Sequence, residues 1–332
     1  RLDLAEILNA SRNFLSGHNL AELATALPQE IKLSEISLTR LREALREGFV
    51  GNKIERIYGI LNGTCNFILS KMEKDHSDFD SVLDSAQKLG YAESDPSLDI
   101  DGTDTVHKAA ILASLAYGEW FGVEPVYKEG IRGISSEDIG FAAEFGYKIK
   151  LLAIIKQQDD DVQIRVHPAL IPEDSMLANV SDVYNAVQIK GNPVGDTLFY
   201  GRGAGRDATA SAVVADIVDV CLNLKFGSHR RVPAFKIGRQ FRHIIPMNEV
   251  NSRYYLRIKV SDMPGVIASI SSIIGSKNIS ISSIKQTEKK GENPVSLIIL
   301  THLANERLLT ESIREIEKLN CVKSKVILLR VE

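Results

Sequence analysis

Between Ala86 and Lys108 the chain gathers Glu93, Asp99, Asp104 and Lys108 within a span punctuated by Gly90, Pro96 and Gly102. A lysine can deliver a proton to a reacting oxygen, and carboxylates recognise a substrate ammonium. A helix over 103–117, opened by the turn Asp101-Gly102-Thr103, places Asp104 and Lys108 four residues apart on one face, with the acid near the positive end of the helix dipole. Glu93 and Asp99 precede it in an irregular loop that can fold back over that face and hold a cationic amine. The bland alternative is a solvated i,i+4 ion pair, the commoner outcome for such a spacing on an exposed helix.

The elements that must position these groups follow from hydrophobic patterning. Residues 53–58 read as a strand, 63–73 and 79–89 as helices, and 151–155, 162–168 and 183–189 as strands, with a polar turn at 157–161. Strands interrupted by surface helices predict an α+β catalytic domain on an open sheet, over 41–238. The run Gly201-Arg202-Gly203-Ala204-Gly205 precedes an apolar helix at 210–222 that Thr209 can cap. Such a run can bind phosphate through free backbone amides, or simply mark a tight loop. Residues 239–250, with Arg, His and Pro, predict an exposed connection. Beyond it, over 251–332, the order is strand, helix, strand, strand, helix, strand: a βαββαβ, ferredoxin-like module.

Ala86-x3-Gly90-Tyr91-Ala92-x2-Asp95-Pro96-x2-Asp99-Ile100-x-Gly102-x-Asp104-x3-Lys108 resembles the signature of homoserine dehydrogenases at every fixed position. Ile57-Tyr58-Gly59-Ile60-Leu61-Asn62-Gly63-Thr64-Cys65-Asn66-Phe67 upstream, and Gly201 to Gly205 followed by Thr209-Ala210-Ser211-Ala212-Val213 downstream, extend the resemblance in the family's own order over about 41–330. That family interconverts L-homoserine and L-aspartate 4-semialdehyde with NAD or NADP. The resemblance implies that Lys108 is the acid/base, that Glu93 and Asp104 hold the substrate's amine and hydroxyl end, and that Asp99 orients the lysine. It puts Asn62, Gly63 and Thr64 at the substrate and nicotinamide pocket and Gly203 and Gly205 against the cofactor. It also implies a homodimer. The C-terminal module resembles an ACT domain, with Asp262, Pro264, Gly265 and Val266 at the ligand turn. Threonine, an end product of the homoserine route, is the natural effector; ACT modules that serve only assembly are about as common, and their pairing could extend the dimer to a tetramer.

One part of the family pattern is not matched. Residues 1–40 hold no Gly-x-Gly-x-x-Gly after an apolar strand, the turn that cradles a dinucleotide pyrophosphate. They read as short helical pieces, an incomplete remnant of a nucleotide-binding region that is expected to be largely absent from this chain. The family's Ala-Asn-Lys turn and its loop for a monovalent cation are likewise unmatched, and Arg206-Asp207-Ala208 departs from the family's usual proline before the threonine. The competing reading is a non-catalytic amino-acid-sensing protein that keeps the pocket without the redox activity.

The remaining composition excludes more than it selects. With 332 residues, 44% hydrophobic and 25% charged, and a net charge of -3, the chain is an ordinary globular composition with no call for nucleic acid or membrane lipid. No apolar run reaches the roughly 18 residues of a membrane span and no signal sequence is evident. Cys65, Cys221 and Cys321 are odd in number and far apart, as expected of cytoplasmic thiols, and Cys65 reads as a small buried residue rather than a nucleophile. His167 and His229 lack partners at metal-ligand spacing, so no metal is expected.

Overall fold

The computed structural model describes residues 41, 44–203, 205–227, 243–286 and 294–332. The expected remnant at 1–40, the first residues of the 239–250 connection, His229 and the charged segment around 289–293 lie outside the described residues. From Lys53 the chain forms β1 (Lys53–Ile60), α1 (Gly63–Asp75), α2 (Phe79–Lys88), α3 (Ser97–Ile100), α4 (Thr103–Tyr117), β2 (Tyr127–Lys128), α5 (Ser136–Glu144), β3 (Tyr147–Gln158), β4 (Asp161–Pro172), β5 (Tyr184–Asn192), β6 (Gly195–Arg202) and α6 (Arg206–Phe226). It continues with β7 (Asn251–Val260), α7 (Val266–Ser276), β8 (Ile281–Gln286), β9 (Val295–Thr301), β10 (Ala304–Asn305), α8 (Glu306–Ile316) and β11 (Ile327–Val331).

β3 and β4 are the spine. Their ladder runs unbroken from Tyr147 opposite Pro172 to Gln158 opposite Asp161, closed by a polar turn in which Asp159 takes φ 52°. Both strands are apolar on two faces, as strands buried on both sides must be. Leu151, Ala153 and Ile155 join the main core with α1, α4 and α5, while Leu152 and Ile154 join a smaller one with Leu177, Ala178 and Val180. α4 lies against β3 and β4. It starts after Gly102 and stops at Gly118, both at positive φ (80° and 71°), which glycine adopts without a steric penalty.

The expected α+β sheet and the ferredoxin-like module are present, and they are one sheet. The strand order is β6-β5-β1-β3-β4-β11-β7-β9-β8. β11, the final strand of the module, runs parallel to β4 on one side and antiparallel to β7 on the other. The described part of the connection, 243–250, is exposed or partly exposed except at Val250, and it is tied to β4, because the Val162 amide donates to His243 O and the Ile245 amide donates to Val162 O. Alternation along β7 explains the docking. Tyr254, Leu256 and Ile258 pack with α7 and α8, whereas Tyr255 belongs to the main core. On that second face Arg257 meets Asp138 of α5 through Nε at 2.6 Å and Nη2 at 2.9 Å, and Lys259 meets Glu137 at 2.8 Å.

Two readings needed correction. The glycine run hides a strand, since β6 extends to Arg202 and pairs along its length with β5. α6 begins at Arg206, not at 210, so Thr209 lies inside its first turn and its amide donates to Gly205 O at 3.0 Å. Arg206, Asp207 and Ala208 contain no helix breaker, and Asp207 suits the N-terminal dipole.

Candidate functional site

The four-residue spacing in α4 forms the expected pair, with Lys108 Nζ 2.8 Å from Asp104 Oδ2 and both side chains partly buried (15% and 27% exposed). Lys108 also donates to Leu61 O at 3.1 Å, so two of the three ammonium N–H positions have partners. Leu61 is brought there by the β1–α1 turn, and the next residue organises the rest. Asn62 caps α1 by accepting the Cys65 amide through Oδ1 at 2.8 Å. Its Nδ2 donates to Asp99 Oδ1 at 2.9 Å and to Asp104 Oδ2 at 3.0 Å. Only an amide can accept on one side and donate to two carboxylates on the other, and an aspartate here would add a third anion. Asp99 therefore joins the lysine through Asn62, while Asp104 touches it directly.

The loop before α4 is seated on α1. Thr64 Oγ1 donates to Tyr91 O at 2.7 Å, and the Phe67 and Tyr91 rings lie 4.9 Å apart. Glu93 is exposed on this loop, with its carbonyl accepting from Gln87 at 2.9 Å. Cys65 is fully buried, donates to Asp99 O, and burial beside Asp99 and Asp104 pushes its thiol well up, which leaves it inert as the sequence reading expected. His167 is a satisfied core residue: its Nδ1 donates to Pro168 O, Nε2 accepts from Arg165, and burial holds its pKa well below the usual value.

Sequence reasoning gave no role to the segment that clasps the signature turn. Over 127–132 the chain crosses the Ile100–Thr103 turn and grips it at three points. Lys128 Nζ donates to Thr103 Oγ1 at 2.8 Å, the Ile131 amide donates to Ile100 O at 2.8 Å, and Arg132 Nε pairs with Asp101 at 2.5 Å. Gly130 is obligatory at the crossing, because a Cβ there would lie 2.2 Å from Ile100 O and 2.5 Å from Asp101 Cα. Backbone atoms cannot yield as a side chain can. Gly130→Ala is expected to lower unfolding stability by about 2 kcal/mol or more, and a denaturant midpoint equal to wild type would remove the clasp from the account.

Asn185 was also missed. On β5 it sits between the two glycine loops: a Cβ on Gly203 would meet its Nδ2 at 2.2 Å, and one on Gly63 would come 3.6 Å from its Oδ1. Gly63 and Gly203, far apart in sequence, are thus brought together over one amide. Asn185 is 2% exposed, and its Oδ1 has no hydrogen-bond partner among the described residues. Gly205 follows at φ 127° as the residue before α6. At the other end of the molecule, Asp262 accepts from Gln286 at 3.0 Å, Pro264 is exposed, Gly265 has φ 88°, and the Val266 side chain is turned into the core of its own module.

Comparison with known proteins identifies relatives of the whole described chain. The profile of the homoserine dehydrogenase family matches residues 41–218, and that of the ACT domain matches 254–321. A homoserine dehydrogenase of Neisseria gonorrhoeae is 44% identical over 293 residues, 87% of this chain and 67% of that protein. One from Helicobacter pylori is 38% identical over 332 residues, 98% of this chain and 76% of that protein. Among solved structures, the Thiobacillus denitrificans homoserine dehydrogenase superposes with a TM-score of 0.82 at 45% identity, covering 88% of this chain and 67% of that one.

Proposed function

The chain belongs to the homoserine dehydrogenase family, and from that premise we propose how its residues serve the NAD(P)-dependent interconversion of L-homoserine and L-aspartate 4-semialdehyde. The observation that carries the reading is Lys108, fixed by Asp104 and Leu61 O, with one N–H that no described residue takes and that can meet a substrate oxygen. In the reducing direction the ammonium gives that proton to the aldehyde oxygen as the carbonyl carbon becomes an alcohol carbon. In the oxidising direction the neutral amine removes the hydroxyl proton. Asp104 and Asn62 keep the nitrogen in place, and Asp99 keeps Asn62 in place. Glu93, on the loop above, is assigned the substrate ammonium together with Asp104, as the signature implies.

The nicotinamide cofactor supplies or accepts the hydride when bound. The residues present fit its reactive end: Asn185 Oδ1 is a buried acceptor lacking a donor among the described residues, set between Gly63 and Gly203. A carboxamide N–H would satisfy it, and a buried acceptor left unpaired costs about 1–3 kcal/mol. In homoserine oxidation Asn185→Ala is therefore expected to raise the KM for NAD(P)+ about tenfold with the KM for homoserine nearly unchanged. Equal changes in both constants would count against this role.

Two further assignments are supported by position. Among the described residues β6 and β8 end the strand order, which offers each sheet edge for pairing with a second copy, a homodimer through the first and a tetramer through both. The turn from Asp262 to Val266 is assigned to threonine, with backbone groups and Asp262 as the contacts. Among the described residues no helix is long and apolar enough to cross a membrane. The test is the absorbance change of the nicotinamide when full-length protein meets L-homoserine with NAD or NADP, which also decides between the two. Binding of amino acids by calorimetry with no such change would favour a sensing protein instead.

A further inference from the structure

β3 carries a lysine into an apolar core. Lys150 is 1% exposed and shares its face of the strand with Leu152 and Ile154 of the smaller core. Leucine or methionine would fill that space without the cost of burying an amine. What lysine adds is N–H donors: Nζ donates to Val180 O at 2.7 Å and to Asn66 Oδ1 at 3.3 Å. Among the described residues no carboxylate pairs with it. Burial lowers the ammonium to about 8; Glu73 of α1 and Asp182 oppose that fall, and Lys148 on the same strand adds to it.

Both acceptors belong to one turn or to its support. Asn66 Nδ2 donates to Val180 O at 3.2 Å and to Tyr184 O at 3.0 Å, so α1 and β3 grip the same 180–184 segment together. Ser70, one turn further along α1, accepts the Asp182 amide at 3.2 Å, and Asp182 itself has φ 58°, an uncommon value for a residue with a side chain. The segment leads directly into the cradle assigned to the cofactor. Val183 O accepts the Gly203 amide at 3.4 Å and would lie 3.0 Å from a Cβ on Gly63, and Asn185 follows two residues later. Asn62 and Asn66, one turn apart at the start of α1, thus serve different halves of the site: Asn62 binds the two carboxylates beside Lys108, and Asn66 binds the turn behind the cofactor.

We propose that Lys150 is a positioning residue for the nicotinamide cofactor: its bond to Val180 O fixes the 180–184 turn, and through that turn it sets Val183 and Asn185 against Gly63 and Gly203. It touches neither substrate nor cofactor. A charged donor makes the stronger hydrogen bond, and a buried one has no water to exchange it for. The inference rests on the reading of Asn185 as an acceptor for the cofactor, and it names what holds that acceptor in place. Without the lysine, Val180 O still receives Asn66 Nδ2, so the loss falls on the placement of the turn more than on the fold.

Lys150→Met keeps the apolar stem and removes the donor, and a thermal melt near that of wild type is expected. Fluorescence titration of full-length protein with NADPH and NADH is expected to show coenzyme binding weakened about threefold or more. Hydrogen exchange without coenzyme is expected to quicken at the Asp182, Tyr184 and Gly203 amides and to stay unchanged over 62–66. The affinity ratio of wild type to variant should narrow as pH rises through about 8, where wild type loses the same charge. Ser70→Ala, which frees the Asp182 amide and changes no charge, should weaken coenzyme in the same direction with no such pH dependence, and it keeps the test open if Lys150→Met does not fold. Unchanged affinity in both variants, or a lowered melt with unchanged affinity, overturns the positioning role. Weakened affinity with unchanged exchange overturns it too, since the turn would not have moved. Asn185→Ala separates this role from the cofactor reading: wild-type affinity there sinks the cradle, whereas weakening there beside an unaffected Lys150→Met sinks the role of Lys150 alone.

Discussion

Replacing Lys108 with alanine is expected to lower kcat for homoserine oxidation in full-length protein by roughly a hundred- to ten-thousandfold, the usual contribution of a positioned acid/base. The fold should survive. Lys108 is partly solvated, and its removal leaves Asp104 still receiving Asn62 Nδ2, a loss on the order of 1 kcal/mol. KM for homoserine should change far less than kcat, because the lost interaction is made to the oxygen as its charge develops. Lys108→Arg separates charge from proton transfer. A guanidinium keeps the cation yet gives up no proton near neutral pH, so this variant should remain nearly as impaired as alanine. Turnover in Lys108→Ala equal to wild type, with an unchanged melt, would sink the acid/base assignment.

What made that site visible in the sequence was locality. Asp104 and Lys108 lie one helical turn apart, and Gly102 and Gly118 punctuate the helix that carries them, so spacing alone delivers their contact. Asn62 meets Asp104 across 42 residues. No periodicity reports that, and only the family likeness placed Asn62 nearby. The clasp over 127–132 was illegible for the same reason, since Gly130 is distinguished by what crosses it and not by its neighbours in sequence. Asp138 shows how one residue can be half read. As the third residue of a helix after Ser135 it makes a capping box, a local pattern, but its grip on Arg257 depends on β7 arriving from 119 residues away. β6 was hidden by Gly195 and Gly201, although Thr197-Leu198-Phe199-Tyr200 is good strand sequence. The joining of two sheets through β11 is a long-range parallel pairing that hydrophobic patterning cannot specify.

That junction carries the second large effect. Just after β11, Glu332 enters a buried site with its side chain 3% exposed. Its carboxylate accepts from Arg165 at 2.6 Å, from Lys156 at 2.6 Å and from Tyr58 at 2.9 Å, and its backbone amide donates to Leu170 O. A buried ion pair adds little over a well-packed apolar one, but removing one partner strands the others. Glu332→Gln keeps the shape and leaves Arg165, itself 3% exposed, without a counter-charge, so a loss of about 3–5 kcal/mol and a fall in Tm of about 5–10 °C are expected. The pH dependence gives an independent reading. Burial alone would raise the Glu332 carboxyl, but Arg165 and Lys156 together outweigh it and hold it below the ordinary 4.5. A carboxylate with a depressed folded pKa binds fewer protons in the folded state than in the unfolded one. Its contribution is complete above that ordinary value and disappears as pH falls through the folded one. Wild-type Tm should therefore drop more steeply than that of Glu332→Gln as the medium is acidified below about pH 5. Some slope persists in the variant, because Glu137 is also held low: Lys259 and Ser296 overcome the opposing effect of its burial. Parallel Tm curves for the two proteins, or a variant as stable as wild type at neutral pH, would show that the sheet junction does not depend on this carboxylate.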